Sequence, residues 1–251
     1  MEQEAQNNLS DLPKADLKLV EQMVKEGVHF CHSATKWNPK MEPFIFGSKN
    51  NVHLIDLEKT VEMLKKAKEF AKDVVRKGGK VLFVGTTPAA KRVIEECVTQ
   101  TGMPFVSERW LGGTLTNFKI IAKRLEYFKE LERKQAAGEL EKYTKKERQE
   151  FNEEIKKLER KFGGFKNLQK IPEALFVLDS KKNYLAIKEA RDSGKVKTIA
   201  LCDTNVDPDS IDYPIPANDD AISSLRLITG QIVEAIEEGK KDAGKAAEEK
   251  K

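Results

Sequence analysis

The run Val81-Leu82-Phe83-Val84-Gly85-Thr86-Thr87-Pro88 sets the architecture. Four apolar residues without alternation suit a strand buried on both faces of a parallel sheet. Gly85-Thr86 then turns the chain, Thr87 stands at a helix N-cap position, and Pro88 follows at the first helical position. Val93, Ile94, Cys97 and Val98 line one face of the helix so begun. Two further runs repeat the theme. Leu175-Phe176-Val177-Leu178 ends in Asp179-Ser180, and Thr198-Ile199-Ala200-Leu201-Cys202 ends in Asp203-Thr204. Ahead of the first run, Val61, Leu64, Ala67, Ala71, Val74 and Val75 mark an amphipathic helix. After the third, Asn218-Asp219-Asp220 caps a last helix carrying Ile222, Leu225, Ile228, Ile232 and Ile236. Strands alternating with helices predict a three-layer α/β sandwich with a mainly parallel sheet. Outside that repeat, 44–46 and 52–55 read as a β-hairpin, and Met103-Pro104-Phe105-Val106 as a further short strand.

A chain of 251 residues with 39% hydrophobic content can bury a sizeable core. Its 34% charged residues exceed the usual ~25%, so an unusually large surface faces water or a polyanion. The formal charge of +4 is only mildly basic, and its distribution must therefore carry any argument for nucleic acid. Cys31, Cys97 and Cys202 form no CxxC pair, which points to free thiols in a reducing compartment. No signal-peptide or transit pattern opens the chain, and no apolar stretch reaches the ~18 residues a membrane span requires. A cytoplasmic protein without a membrane partner is expected.

The region 114–165 interrupts the α/β pattern. Phe118, Ile121, Leu125 and Phe128 form one narrow apolar seam, and Phe151, Ile155, Leu158 and Phe162 a second. Both are flanked by charge, which predicts an inserted antiparallel coiled-coil hairpin that projects as an arm. Ala136-Ala137-Gly138 breaks the first helix, Thr144 with Glu147 has capping-box spacing for the second, and Gly163-Gly164 ends it. The domain plan is therefore a core of 1–113 plus 166–238, a hairpin of 114–165, and a frayed or disordered charged tail of 239–251.

From Lys119 to Lys170 there are 16 Lys/Arg against 10 Asp/Glu. Lys119, Lys123 and Arg124 cluster at one end of the rod, and Lys142, Lys145, Lys146 and Arg148 near its tip. Clustered cations fit a polyphosphate partner, while a solvated helix surface laced with ion pairs is the plainer reading. Arg109-Trp110-Leu111-Gly112-Gly113-Thr114-Leu115-Thr116-Asn117 is more specific. Paired glycines before a helix can aim several amides at an anion, Thr114, Thr116 and Asn117 can donate hydrogen bonds, and Arg109 can fork onto a phosphate. Trp110 reads as a core anchor. Lys36-Trp37-Asn38-Pro39-Lys40 places cations around an aromatic ring that could stack on a base, or simply anchor its loop.

Catalytic signals are poor. Neither GxGxxG nor GxxxxGK[ST] follows the first strand, no nucleophile elbow is present, and no cysteine sits in a nucleophile motif. No cofactor is expected. His32 with Asp203, Asp219 and Asp220 could gather a divalent cation, but a capping Asp pair and a hydrogen-bonded His are the commoner outcome.

Several blocks resemble a known family: Gly27-Val28-His29-Phe30-Cys31-His32, Lys36-Trp37-Asn38-Pro39-Lys40-Met41, Phe44-Ile45-Phe46-Gly47, Arg109-Trp110-Leu111-Gly112-Gly113 with Leu115-Thr116-Asn117, Pro172-Glu173-Ala174-Leu175-Phe176, Asp203-Thr204-Asn205 with Asp207-Pro208, and Ile215-Pro216-Ala217-Asn218-Asp219-Asp220-Ala221. Together they look like the bacterial second protein of the small ribosomal subunit, the ribosomal protein S-two family, in order from about residue 20 to 238. The resemblance implies a flavodoxin-like sheet with a coiled-coil insertion and a non-enzymatic structural role. It also implies binding to small-subunit ribosomal RNA, contact with neighbouring small-subunit proteins, and help in recruiting the mRNA-binding ribosomal protein S-one. By position it implies RNA-side roles for Lys36, Trp37, Lys40, Arg109, Gly112, Gly113, Thr114, Asn117 and Lys119, to which the charge pattern adds Lys123 and Arg124. A ribosome-bound protein of this kind is not a stand-alone homo-oligomer. The sequence departs from the family at Cys31 and Ala217, where glycine is usual, and at Ser223, where an arginine is often found. Two other readings stay open: a nucleotide- or flavin-binding enzyme using the crevice at the strand ends, and a protein-docking module gripped through the hairpin.

Overall fold

The computed structural model describes residues 13–33 and 35–248. Helix α1 (Lys14–Lys25) leads into a small antiparallel sheet of β1 (Phe30–Ser33), β2 (Ile45–Lys49) and β3 (Val52–Ile55). Then follow α2 (Leu57–Arg76), β4 (Val81–Val84), α3 (Pro88–Val93) and β5 (Phe105–Val106). Two long helices, α4 (Phe118–Ala136) and α5 (Lys145–Phe162), come next. The chain closes with β6 (Ala174–Val177), α6 (Tyr184–Ser193), β7 (Lys197–Cys202), β8 (Tyr213–Pro216) and α7 (Ile222–Glu248).

Strands β4 to β8 form one parallel five-stranded sheet in the order β5-β4-β6-β7-β8. Renumbered within that sheet the order is 2-1-3-4-5, the flavodoxin-like doubly wound arrangement. Alternation within the apolar runs builds both layers. Val81, Phe83, Phe176, Ile199 and Leu201 face an apolar cluster shared with α2 and α7. Leu82, Val84, Leu175, Val177 and Ala200 face the cluster shared with α4 and α6. Each fully buried Val, Leu, Ile or Phe among them contributes roughly 1.5–3 kcal/mol relative to exposure, and the one buried polar side chain of these runs, Thr198, is hydrogen-bonded to Asp212 at 3.0 Å.

The caps read from sequence form. The Thr87 hydroxyl accepts from the Ala90 amide at 3.3 Å, and Thr144 with Glu147 makes a reciprocal capping box. Sequence reasoning missed β8, because Pro214 and Pro216 argue against a strand. β8 lies at the sheet edge, where proline is tolerated. It also missed β1 and α1. The tail expectation needs correction: α7 runs on through Glu248, so 239–248 is helical and not disordered, while 249–251 lie outside the described residues. Polar contacts hold this extension, with Lys72 Nζ 3.1 Å from Asp242 and Lys240 donating to the Thr101 carbonyl.

Helices α4 and α5 face each other through Tyr127 donating to Glu154 (3.2 Å) and Gln135 donating to Asn152 (2.8 Å). Their lower part is not a separate seam. Ile121, Leu125, Phe128 and Phe162 are buried in the same apolar cluster as Leu82 and Leu175 of the sheet. Phe151, Ile155 and Leu158 are half-buried. Among the described residues, no helix is long and apolar enough to cross a membrane.

Candidate nucleic-acid interface

The loop 35–40 is fastened to the end of β7. The Asn38 amide donates to the Thr204 carbonyl (2.7 Å), and the Asn38 side chain accepts from the Lys40 amide (3.0 Å). Lys36 is exposed, and Trp37, 37% exposed, leans on His53 with ring centres 5.5 Å apart. Lys40 is different. Its ammonium lies 2.9 Å from both Asp207 and Asp209, and these bonds push its proton affinity up. The cation that the sequence offered to RNA is already neutralised.

The glycine turn after β5 is built as expected, with Gly113 at φ 88°, a conformation that favours glycine. Its amides converge on an anion, and that anion is the protein's own Glu189 from α6. Glu189 Oε1 accepts from the Gly113 amide (2.8 Å) and the Trp110 indole (3.1 Å). Its Oε2 accepts from the Leu115 amide (3.1 Å) and, more weakly, from the Thr116 amide (3.5 Å) and hydroxyl (3.4 Å). Thr114 is buried and donates its hydroxyl to the Leu111 carbonyl at 2.5 Å. The expectation that Gly113 and Thr114 cradle an external phosphate is therefore corrected: the Gly113 amide is taken by Glu189, and the Thr114 hydroxyl by the Leu111 carbonyl. A buried carboxylate needs several donors, and the turn supplies them. Arg109, Gly112, Asn117, Lys119, Lys123 and Arg124 remain exposed around this sealed turn.

Elsewhere at the strand ends, the structure gathers the acidic cluster. His32 Nδ1 lies 2.8 Å from Asp203 Oδ2, and its Nε2 3.6 Å from Asp220 Oδ2. The His32 amide also donates to Asp203 Oδ1 at 3.2 Å. Asp219 is buried beside them. Burial first, then the charges of Asp203, Asp179 and Asp220, push its acid up to about 8. His32, Asp219 and Asp220 each offer a ligand atom within 4.8 Å of the others, so the group has the donor chemistry for a divalent cation. The adjacent Cys31 thiol is pushed far up by burial and by Asp203, which keeps it protonated. The crevice where a nucleotide would sit in a doubly wound sheet is bridged by the Thr86 hydroxyl against Asn183 at 3.1 Å.

Comparison with known proteins decides among the readings. Residues 23–239 match the family described as Ribosomal protein S2. The chain belongs to the ribosomal protein S2 family. Similar relatives named small ribosomal subunit protein uS2 occur in Mycobacteroides abscessus and Fusobacterium nucleatum. The first is 48% identical over 88% of this chain and 79% of its own length. The second is 48% identical over 88% and 89%. A uS2 protein of Roseiflexus sp. is 48% identical over 86% of the chain and 82% of its own. The ribosomal protein S2 family is structural and non-enzymatic, in line with the absence of a catalytic motif in the sequence. Of the departures from the family pattern, Ser223 is used internally, donating to the Glu26 carbonyl at 2.8 Å.

Sequence reasoning missed two features of this surface. Glu189 lies among the buried Ala186, Ile187 and Ala190 on one side of α6, and an acid inside an apolar stripe was the available signal. Lys157, Arg160 and Lys161 have the i, i+3, i+4 spacing that places them on one helical face. That face lines a cleft of about 260 Å³ together with Glu108 and Arg109.

Proposed function

We propose that this chain is a structural, non-catalytic constituent of the small ribosomal subunit, bound in the cytoplasm to small-subunit ribosomal RNA and to neighbouring ribosomal proteins. The observation that carries the reading is the family match across residues 23–239. In this reading 1–113 with 166–238 is the RNA-binding core and 114–165 a coiled-coil arm. Exposed Lys36, Trp37, Arg109, Lys119, Lys123 and Arg124 supply the contacts, with Gly112 and Asn117 at the surface of the same turn. Contacts of this kind position a protein on the phosphate backbone and read little base sequence. Support for translation, including recruitment of a ribosomal protein S-one, belongs to the same proposal. The protein works as a ribosomal part and not as a free homo-oligomer.

Sedimentation tests the proposal: native protein should travel with small-subunit particles and be released by raised salt. Purified protein that bound small-subunit RNA without any salt dependence would overturn the phosphate account. Pull-down after nuclease treatment separates the protein-held partners, an S-one protein among them, from those held through RNA.

A further inference from the structure

Glu189 takes the Gly113, Leu115 and Thr116 amides of the glycine turn, so these donors are not available to grip a phosphate. We propose instead that the cleft between the 108–109 segment and the last turns of α5 is a seat for a backbone phosphate of RNA, formed by Arg109, Lys157 and Lys161 with Arg160 at its rim. The inference rests on the reading of the chain as an RNA-binding protein and names the site through which it grips.

The charge count is the first argument. Five residues line the cleft, four of them cationic and one, Glu108, acidic. Glu108 is already engaged twice, by Lys91 and by Arg160 at 3.6 Å, and these contacts, that of Lys91 foremost, hold its carboxyl below the usual range. Arg109, Lys157 and Lys161 make no ion pair among the described residues, and all three are exposed. Three uncompensated cations sharing one small concavity repel each other, and that repulsion turns into attraction when a polyanion enters.

Helix stability explains only part of the pattern. Cations favour a helix C-terminus within the last turn, which accounts for Arg160 and Lys161 of α5. It does not account for Lys157, which lies further back, or for Arg109, which comes from another segment. Convergence of the two segments is what makes a seat.

Both walls are held in place. Gly164, just beyond α5, packs so closely on β5 that a Cβ there would come within 2.4 Å of the Phe105 carbonyl oxygen. On the other side, the indole of Trp110, next to Arg109, is tied to Glu189 at 3.1 Å. A site whose backbone is fixed before binding loses little entropy on binding. Arg109 then offers a planar fork for phosphate oxygens, and the two lysines add point charges.

The test uses the full chain and transcribed small-subunit ribosomal RNA, with affinity measured across a range of potassium concentrations. The double variant Lys157→Glu/Lys161→Glu should bind at least ~30-fold more weakly near 0.1 M salt, with the slope of log K against log salt shallower by about two. A control with the same charge change at the arm tip, Lys145→Glu/Lys146→Glu, should lose less than about threefold. Thermal melts establish that both variants fold, and Lys157→Arg/Lys161→Arg should keep wild-type affinity. Equal losses in the two glutamate pairs would mean diffuse attraction and would overturn the seat. So would an unchanged affinity of the first pair, including the case in which the cleft holds an acidic protein segment. If the wild-type chain itself fails to bind the RNA, the wider RNA-binding reading falls, which is a separable result.

Discussion

The turn at 110–116 and the cleft at 108–109 with 157–161 are neighbours with opposite fates. In the turn, several N–H donors converge and are taken by Glu189. In the cleft, side-chain cations converge, and the one carboxylate there, Glu108, is shared between Lys91 and Arg160. Backbone amides in a half-buried turn cannot be left unpaired, so the fold supplies an internal acceptor. Exposed ammonium and guanidinium groups are satisfied by water and can wait for a partner. An anion site read from sequence as a glycine turn is therefore a structural joint, and the available positive charge lies beside it.

The sharpest break of this comparison is Glu189→Ala. It strands the Trp110 indole and the Gly113 and Leu115 amides, and should destabilise the protein by about 3 kcal/mol in urea unfolding, since each buried donor left unpaired costs roughly 1–3 kcal/mol. The same variant should gain an inorganic sulfate or phosphate site in the vacated turn. A loss below about 1 kcal/mol would show that Glu189 is not what holds the turn.

Asp219 is the counterpart carboxylate, buried among acids instead of donors. Its acid moves from 3.8 to about 8 on folding, so its protonated form is the one the fold favours. The resulting stability is fully present below pH 3.8 and is lost as pH rises towards 8. Asp219→Asn removes that loss. In urea unfolding its stability should match wild type near pH 4 and exceed it progressively to pH 8, by an amount on the order of a few kcal/mol. A difference independent of pH would contradict the assignment.

Arg109→Ala tests the cleft from its other wall. RNA affinity should fall about tenfold, within the ~1–3 kcal/mol expected for a charge-assisted contact, and the salt slope should become shallower by about one. An affinity equal to wild type would remove Arg109 from the interface. Smallest of all is Lys40→Ala, because Asp207 and Asp209 already hold that ammonium. Less than about a twofold change in RNA affinity is expected, and a loss as large as that of Arg109→Ala would mean that the ion pairs open on binding.

Much of the fold was legible. The runs at 81–84, 175–178 and 198–202 are continuous and apolar because both faces of their strands are covered, and Thr87, Thr144 and Glu147 announce their caps by spacing alone. β8 was hidden by its two prolines, and the end of α7 by its lack of large apolar residues, since Lys72 and Asp242 hold it from outside any apolar pattern. For the proposed interface, the sequence offers Lys36, Arg109, Lys119, Lys123 and Arg124, and the structure leaves all five exposed. Which donors and cations were already spent could not.

By itself, then, the sequence determined the layers, the parallel sheet and the helix boundaries within 114–165, because each depends on periodicity and capping within a few consecutive residues, while the family likeness rests on residue blocks that can be read in order along the chain. Only the tertiary structure decided that Glu189 closes the glycine turn, that Asp207 and Asp209 hold Lys40, and that Arg109 shares a cleft with Lys157 and Lys161. Hydrogen bonds and ion pairs are satisfied by whichever group folding brings within reach, and these partners arrive from segments far away along the chain.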